Sequence, residues 1–268
     1  MIIYIFNEYL IFINYINIKK ELMKNEIMEQ KHNQSKNQKI LILIRHGERI
    51  DRTGEIPMCG IMNPELTEKG KLQSFLASQT IIEKLKSYGF NNISLNLIQI
   101  RSSPYMRTIQ TSVQLIKGLN KFLPNNEKDK NNKLNKIYVD FGLRKRIKPN
   151  KKFQKEDFLY SSVDKYSNFD TELKNIEFLG DKGEFPLNSE TKELCEKRSL
   201  DYFNNELTNA IEDKNNKNNI FIIIGHRGPL KYILKKLGYN IINKKEFDYC
   251  SKYFFDISDG LENPKLLE

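Results

Sequence analysis

Lys39-Ile40-Leu41-Ile42-Leu43-Ile44 runs straight into Arg45-His46-Gly47-Glu48-Arg49. A short unbroken aliphatic run is the pattern of a strand covered on both faces, as in a parallel sheet with helices above and below. The pattern recurs at Ile220 to Ile224, which ends in Gly225-His226-Arg227, and at Leu95 to Ile100, which ends in Arg101-Ser102-Ser103. Helical spacing fills the intervals. Thr67 is placed to cap a helix with apolar positions Leu72, Phe75, Leu76, Ile82 and Leu85. Ser103 as N-cap and Pro104 as first helical residue open a second, with Met106, Ile109, Val113 and Ile116 on one face. Gly228-Pro229 opens a third, carrying Leu230, Ile233, Leu234 and Leu237 and stopped by Gly238. Lys252 to Ile257 reads as the last strand. This alternation specifies an α/β fold, a three-layer α/β/α sandwich with a mostly parallel central sheet.

The chain has 268 residues, 39% of them hydrophobic, enough to bury one large domain. Its formal charge of +10 is scattered through Asn/Lys-rich tracts such as 125–136 and 212–219, which read as loop expansions on the surface. No basic stripe and no interleaving of aromatic with basic residues is present, so a nucleic-acid partner is not expected. Three scattered cysteines, Cys59, Cys195 and Cys250, suit neither a disulfide framework nor a zinc site and point to a reducing, cytoplasmic compartment. The first eighteen residues are rich in Ile, Tyr and Phe, but Asn7, Glu8, Asn14 and Asn17 interrupt them and no early Lys or Arg precedes them. They fit neither a secretory signal nor a membrane span of about 20 apolar residues. Residues 1–38 are therefore expected to be an unordered extension, with a polar linker from Lys24 to Lys39 and with Met23 and Met28 as alternative starts, and 39–268 to be the folded domain.

In an open α/β sheet, ligands bind beyond the carboxyl ends of the strands. Three strand ends here carry unusual polar residues: Arg45, His46, Gly47, Glu48 and Arg49; then Arg101, Ser102, Ser103 and Arg107; then His226 and Arg227. Two of the chain's three histidines are among them. Singly, each has a structural reading. Together they oppose the helix dipoles that begin there, which is unfavourable unless an anion is bound. The planar fork of arginine matches the oxygens of a phosphate.

Ile44-Arg45-His46-Gly47-Glu48-Arg49 resembles the RHG signature of the histidine phosphatase superfamily, the phosphoglycerate-mutase-like proteins of branch 1. Pro64-Glu65-Leu66-Thr67-Glu68-Lys69-Gly70 with Gln73, Ser102-Ser103-Pro104 with Arg107-Thr108-Ile109-Gln110-Thr111, Ser189-Glu190-Thr191 with Arg198, and Gly225-His226 resemble its further blocks in order. The continuation Glu48-Arg49-Ile50-Asp51 is nearest to the suppressor-of-T-cell-receptor-signalling type. The resemblance implies a phosphoglycerate-mutase-like fold and a phosphomonoesterase that works through a phosphohistidine on His46. Arg45, Arg107, His226 and Arg49 would surround the phosphoryl oxygens, and Gly47 would allow a tight turn. It implies no metal and no cofactor, and as partner a phosphorylated small molecule or protein.

One departure stands out. Gly142-Leu143-Arg144-Lys145-Arg146 puts Lys145 where the family carries a carboxylic acid for the leaving oxygen. Glu48, Glu156 and Asp157 are candidates to replace it, Glu48 being the best placed, with a salt bridge to a pocket arginine as its alternative role. Lys145 also motivates a second reading, a phosphate-binding module with weak turnover, and it disfavours a mutase, which needs a positioned acid for two transfers. The resemblance implies that an insertion around 148–191 caps the pocket as a lid; its aromatics Phe153, Phe158, Tyr160, Tyr166, Phe169, Phe178 and Phe185 are expected to form the small core that holds it together, with a substrate-facing surface as the alternative.

Overall fold

The aliphatic runs at 40–45 and 220–225 lie side by side and parallel, with Ile40 opposite Ile220 and Arg45 opposite Gly225. The computed structural model describes residues 38–54, 63–90, 93–123, 133–147, 171–181, 188–213, 215–241, 243 and 245–267. The readings made for the N-terminal extension, for Glu156 and Asp157 and for most of the lid fall outside those residues. Seven strands form one sheet: β1 (Ile40–Arg45), β2 (Ile98–Ser102), β3 (Lys136–Val139), β4 (Glu177–Gly180), β5 (Ile220–Gly225), β6 (Lys252–Asp256) and β7 (Lys265–Leu267). Their order is β4-β3-β2-β5-β1-β6-β7. The first five in that order are parallel to one another, and β6 and β7 are added antiparallel at one edge.

Alternation along the central strands divides the interior in two. Ile40, Ile42, Ile44, Ile220, Ile222 and Ile224 face α1 (Glu68–Ser87) and α2 (Met106–Phe122). Leu41, Leu43, Phe221 and Ile223 face α4 (Thr208–Glu212) and α5 (Arg227–Lys236), together with the π-helical segment Tyr202–Leu207 that continues α3 (Lys192–Asp201). Helices thus cover both faces, giving the α/β/α sandwich expected from the alternation.

The structure corrects several local expectations. Ile82 and Leu85 are buried as expected, but Leu72 and Leu76 are 57% and 46% exposed, and the rest of the buried face of α1 is Gly70, Ser74, Ala77, Ser78 and Ile81. Small residues line that face because α1 and α2 pack closely; a Cβ on Gly118 would collide with Ser78 and the Phe75 carbonyl. Leu95–Leu97 form a 3₁₀ turn, so β2 begins at Ile98. Strand β4 lies within the span read as a lid, and its Phe178 packs against the main core. Helix α2 starts at Met106 and not at Pro104, for a reason that emerges at the site.

At the end of β2, Arg101 donates from Nε and Nη2 to the two carboxylate oxygens of Asp140, each at 2.9 Å. The Tyr202 hydroxyl donates to the same carboxylate at 3.0 Å, and all three residues are buried. Breaking a buried pair by removing one partner leaves an uncompensated charge, costing about 3–5 kcal/mol, whereas an apolar pair of similar volume costs far less. Asp140→Ala is therefore expected to lower the urea unfolding free energy by about that amount, and Arg101→Met with Asp140→Leu to recover most of it.

Candidate active site

Strands β2, β5 and β1 are neighbours, so their carboxyl ends deliver Ser103, His226 and His46 to one place. Backbone bonds fix these ends: His46 N–H donates to the Gly225 carbonyl at 3.2 Å and Ser103 N–H to the Ile224 carbonyl at 3.0 Å. The rings of His46 and His226 stand edge to face, with centroids 5.3 Å apart, and both residues are buried.

His46 Nδ1 lies 2.8 Å from the Gly47 carbonyl. A carbonyl only accepts, so Nδ1 carries the proton and Nε2 of the neutral ring keeps its lone pair. The loop bearing it is pinned to α2, because Gly47 N–H donates to Thr111 Oγ1 at 3.0 Å and that hydroxyl donates to the Arg107 carbonyl at 2.7 Å. Gly47 is needed for close approach: a Cβ there would sit 2.5 Å from the Gly70 carbonyl oxygen and 2.9 Å from Ser74 Oγ. Its φ is not in the left-handed region, so the expected tight turn is not the reason for a glycine here.

Arg107, in the first turn of α2, has no exposed surface. Its Nη2 is 3.2 Å from His226 Nδ1, and its guanidinium lies over the Tyr105 ring, 4.7 Å from the centroid. Ser103 Oγ is 2.8 Å from His226 Nε2. With Ser103 so engaged it does not cap α2; Asn63 does so from a distance, its Oδ1 accepting from Met106 N–H at 2.7 Å. That exchange explains the later start of the helix.

Arg45 donates from Nη1 to the Phe247 carbonyl at 2.6 Å and lies over Tyr249, 4.3 Å from the ring centroid. Its Nε is buried without a hydrogen-bond partner among the described residues, and such a donor is a natural place for an anion. Tyr249 also borders His46, with ring centroids 5.8 Å apart. Arg49 pairs bidentately with buried Asp51, and its charge is still felt at both histidines. The Glu48 carboxylate is bound elsewhere: it accepts from Thr67 Oγ1 at 3.0 Å and pairs with Lys69 at 3.1 Å. The expected salt bridge of Glu48 to a pocket arginine is thus made to a lysine of α1. Lys145 is exposed, and its charge too reaches His226.

Arg101, Glu190 and Arg198 serve the scaffold. Arg198 binds Glu190 and donates to the carbonyls of Gly142 and Arg144, while Arg144 pairs with Glu190 at 3.2 Å, fastening the loop that bears Lys145. Four contributors escaped the sequence reading in their roles: Ser103, Tyr105, Thr111 and Tyr249. Ser103 and Thr111 stand in a quoted motif block and Tyr105 lies between its two parts, but only three-dimensional contacts show what they touch. Tyr249 carries no local signal at all. Among the described residues, no group of three or more His, Cys, Asp or Glu could hold a metal ion, and no helix is long and apolar enough to cross a membrane.

Residues 41–130 match the family model of the histidine phosphatase superfamily, branch 1. Comparison with curated proteins gives no match. Solved structures similar to the chain include a phosphoserine phosphatase from Entamoeba histolytica in complex with 3-phosphoglyceric acid, at 18% identity and TM-score 0.44, covering 85% of this chain and 95% of that one. Another is a putative alpha-ribazole-5'-P phosphatase from Escherichia coli K-12, at 16% identity and TM-score 0.47, covering 85% and 94%. A third is a mycobacterial glucosyl-3-phosphoglycerate phosphatase in complex with VO3, at 16% identity and TM-score 0.44, covering 81% and 92%.

Burial first, and then the charge of Arg107, holds both His46 and His226 well below the ordinary value of 6.5. The unfolded chain therefore binds more protons than the folded one between those lowered values and pH 6.5. Stability is fully present well above pH 6.5 and is lost as pH falls through and below it, by at most about 1 kcal/mol per pH unit for each histidine over the first unit. Urea titrations at pH 7.5, 6.5 and 5.5 are expected to show this decline, and His46→Asn with His226→Asn is expected to flatten it.

Proposed function

We propose that this protein is a phosphomonoesterase that passes a phosphoryl group through His46. The observation that carries this reading is the neutral, buried His46, with its Nδ1 proton bound to the Gly47 carbonyl and its Nε2 lone pair available, set beside Arg107 and His226. The match of residues 41–130 to a histidine phosphatase model supports it.

In the first step His46 Nε2 bonds to phosphorus as the bond to the ester oxygen breaks. Water then attacks the phosphohistidine, freeing inorganic phosphate and restoring His46. Two easier displacements replace one hard one. Arg107, Arg45 and His226 would stabilise the oxygens on which charge develops, and Arg49 would add its field from the Asp51 pair; such fixed donors need no reorganisation as the reaction proceeds. The mechanism uses no metal, the guanidinium groups supplying the positive charge. A phosphorylated small molecule or a phosphoprotein would be the substrate, and the scattered cysteines suit a cytoplasmic setting.

Proton delivery to the leaving oxygen is the weak half of this arrangement. Glu48 is tied to Thr67 and Lys69, Asp51 to Arg49, Asp140 to Arg101, and Glu190 to Arg144 and Arg198. A positioned general acid contributes about 10²–10⁴ in rate. The commitment of these four carboxylates favours a second reading, a phosphate-binding module with slow turnover.

Aryl phosphates, whose leaving groups need little protonation, are expected to be hydrolysed faster than alkyl phosphates by a factor of that order, about 10²–10⁴. His46→Ala should abolish both activities. Unchanged turnover in that variant would contradict the mechanism, and phosphate binding with no hydrolysis of any ester would favour the second reading.

A further inference from the structure

The hydrogen bonds of His226 define where its proton sits. A guanidinium only donates, so the 3.2 Å contact from Arg107 Nη2 makes Nδ1 the acceptor. In the neutral ring the single proton is then on Nε2, which donates to Ser103 Oγ at 2.8 Å. Ser103 is itself fixed. It is fully buried, its N–H donates to the Ile224 carbonyl at 3.0 Å, and its own carbonyl accepts from Thr108 Oγ1 at 2.8 Å and Ser102 Oγ at 3.0 Å.

The charged and titratable groups facing His226 come from every side: Arg107 from α2, Arg49 and the His46 ring from the loop after β1, Lys145 from the loop after β3, and the Tyr105 ring, edge-on at 5.1 Å. Among the described residues, the charged groups that act most strongly on His226 are cations. An imidazolium in the empty site would add a further positive charge to them with burial against it, which agrees with a pKa well below the ordinary value, burial being the first cause and Arg107 the second. A bound dianion reverses the field. It also competes for the donors of Arg107 and presents acceptor oxygens to a ring nitrogen that holds only a lone pair, a contact that is repulsive until a proton stands between them.

We infer that His226 is the charge switch of this site: neutral, with its proton held on Nε2 by Ser103, while the site is empty, and protonated also on Nδ1 once a tetrahedral dianion binds beside His46. Each dianion then enters together with one proton from solvent, and Ser103 is the positioning residue that keeps Nδ1 as the end that charges. This rests on the reading that the site accepts a phosphoryl group, and it adds to that reading how the second histidine responds.

Sulfate is a suitable probe because it remains a dianion through neutral pH and cannot be turned over. Titration calorimetry of the full chain at pH 7, in buffers of different ionisation enthalpy, reads the protons taken up per sulfate bound. The expected result is close to one in the natural protein, retained in His46→Asn and lost in His226→Asn. The affinity should fall about tenfold per pH unit above neutrality. In ring-nitrogen NMR spectra of the free protein, Nε2 should be the protonated nitrogen of His226; Ser103→Ala should weaken that preference, which the Arg107 contact alone then sustains, and Ser103→Thr, which keeps the hydroxyl, should restore it in full. Sulfate binding without proton uptake, or uptake that persists in His226→Asn, overturns the switch and leaves the phosphatase reading in place. Failure of both sulfate and inorganic phosphate to bind overturns the two together.

Discussion

A guanidinium with no solvent exposure, in the first turn of a helix, is the constraint to which the rest of this site answers. Arg107 puts a full positive charge where the dipole of α2 is already positive. Its surroundings are organised to hold that charge in place. Tyr105 lies under the guanidinium, Thr111 ties the turn to the loop of His46, and Asn63 takes over the capping that Ser103 has given up to His226. A site that concentrates cations in this way is unfavourable alone and favourable around an anion. Burial first, and then the same field, holds both histidines toward the neutral state, which is the state a nitrogen nucleophile requires.

The sheet supplies the geometry. Because β5 lies between β1 and β2, three chain segments far apart in sequence end side by side, and the bonds from His46 to Gly225 and from Ser103 to Ile224 lock their tips together. Several acidic residues are bound in pairs that hold structure, Asp140 with Arg101, Asp51 with Arg49, and Glu190 with Arg144 and Arg198, while Asp248 adds a negative charge near Arg45. Positive charge is thus left facing inward, while the carboxylates stabilise the loops that frame it.

Much of this could be read from the sequence. The aliphatic runs located the central strands because a strand buried on both faces admits few polar residues, and of the polar residues at three strand ends the sheet brings His46, Ser103, Arg107 and His226 together. The first half of the α1 face was misjudged, at Leu72 and Leu76, because close helix packing selects glycine, alanine and serine, which a hydrophobic pattern overlooks. Strand β4 carried no signal, being a short edge strand exposed at both ends. The start of α2 was misplaced because a distant Asn63 provides the cap, and Tyr249 lies just before β6, in a stretch with no motif. Glu48 stood in the right motif, yet Thr67 and Lys69 hold its carboxylate, which only three-dimensional contacts reveal.

The account turns on a covalent bond between His46 and phosphorus, and trapping it is the most direct test. Brief reaction with a radiolabelled aryl phosphate followed by rapid denaturing quench should leave label on the protein, stable in alkali and labile in acid as a phosphoramidate is, and mapped to the peptide containing His46. Turnover that proceeds with no labelled protein at any time of quench, or with label at a residue other than His46, would contradict it.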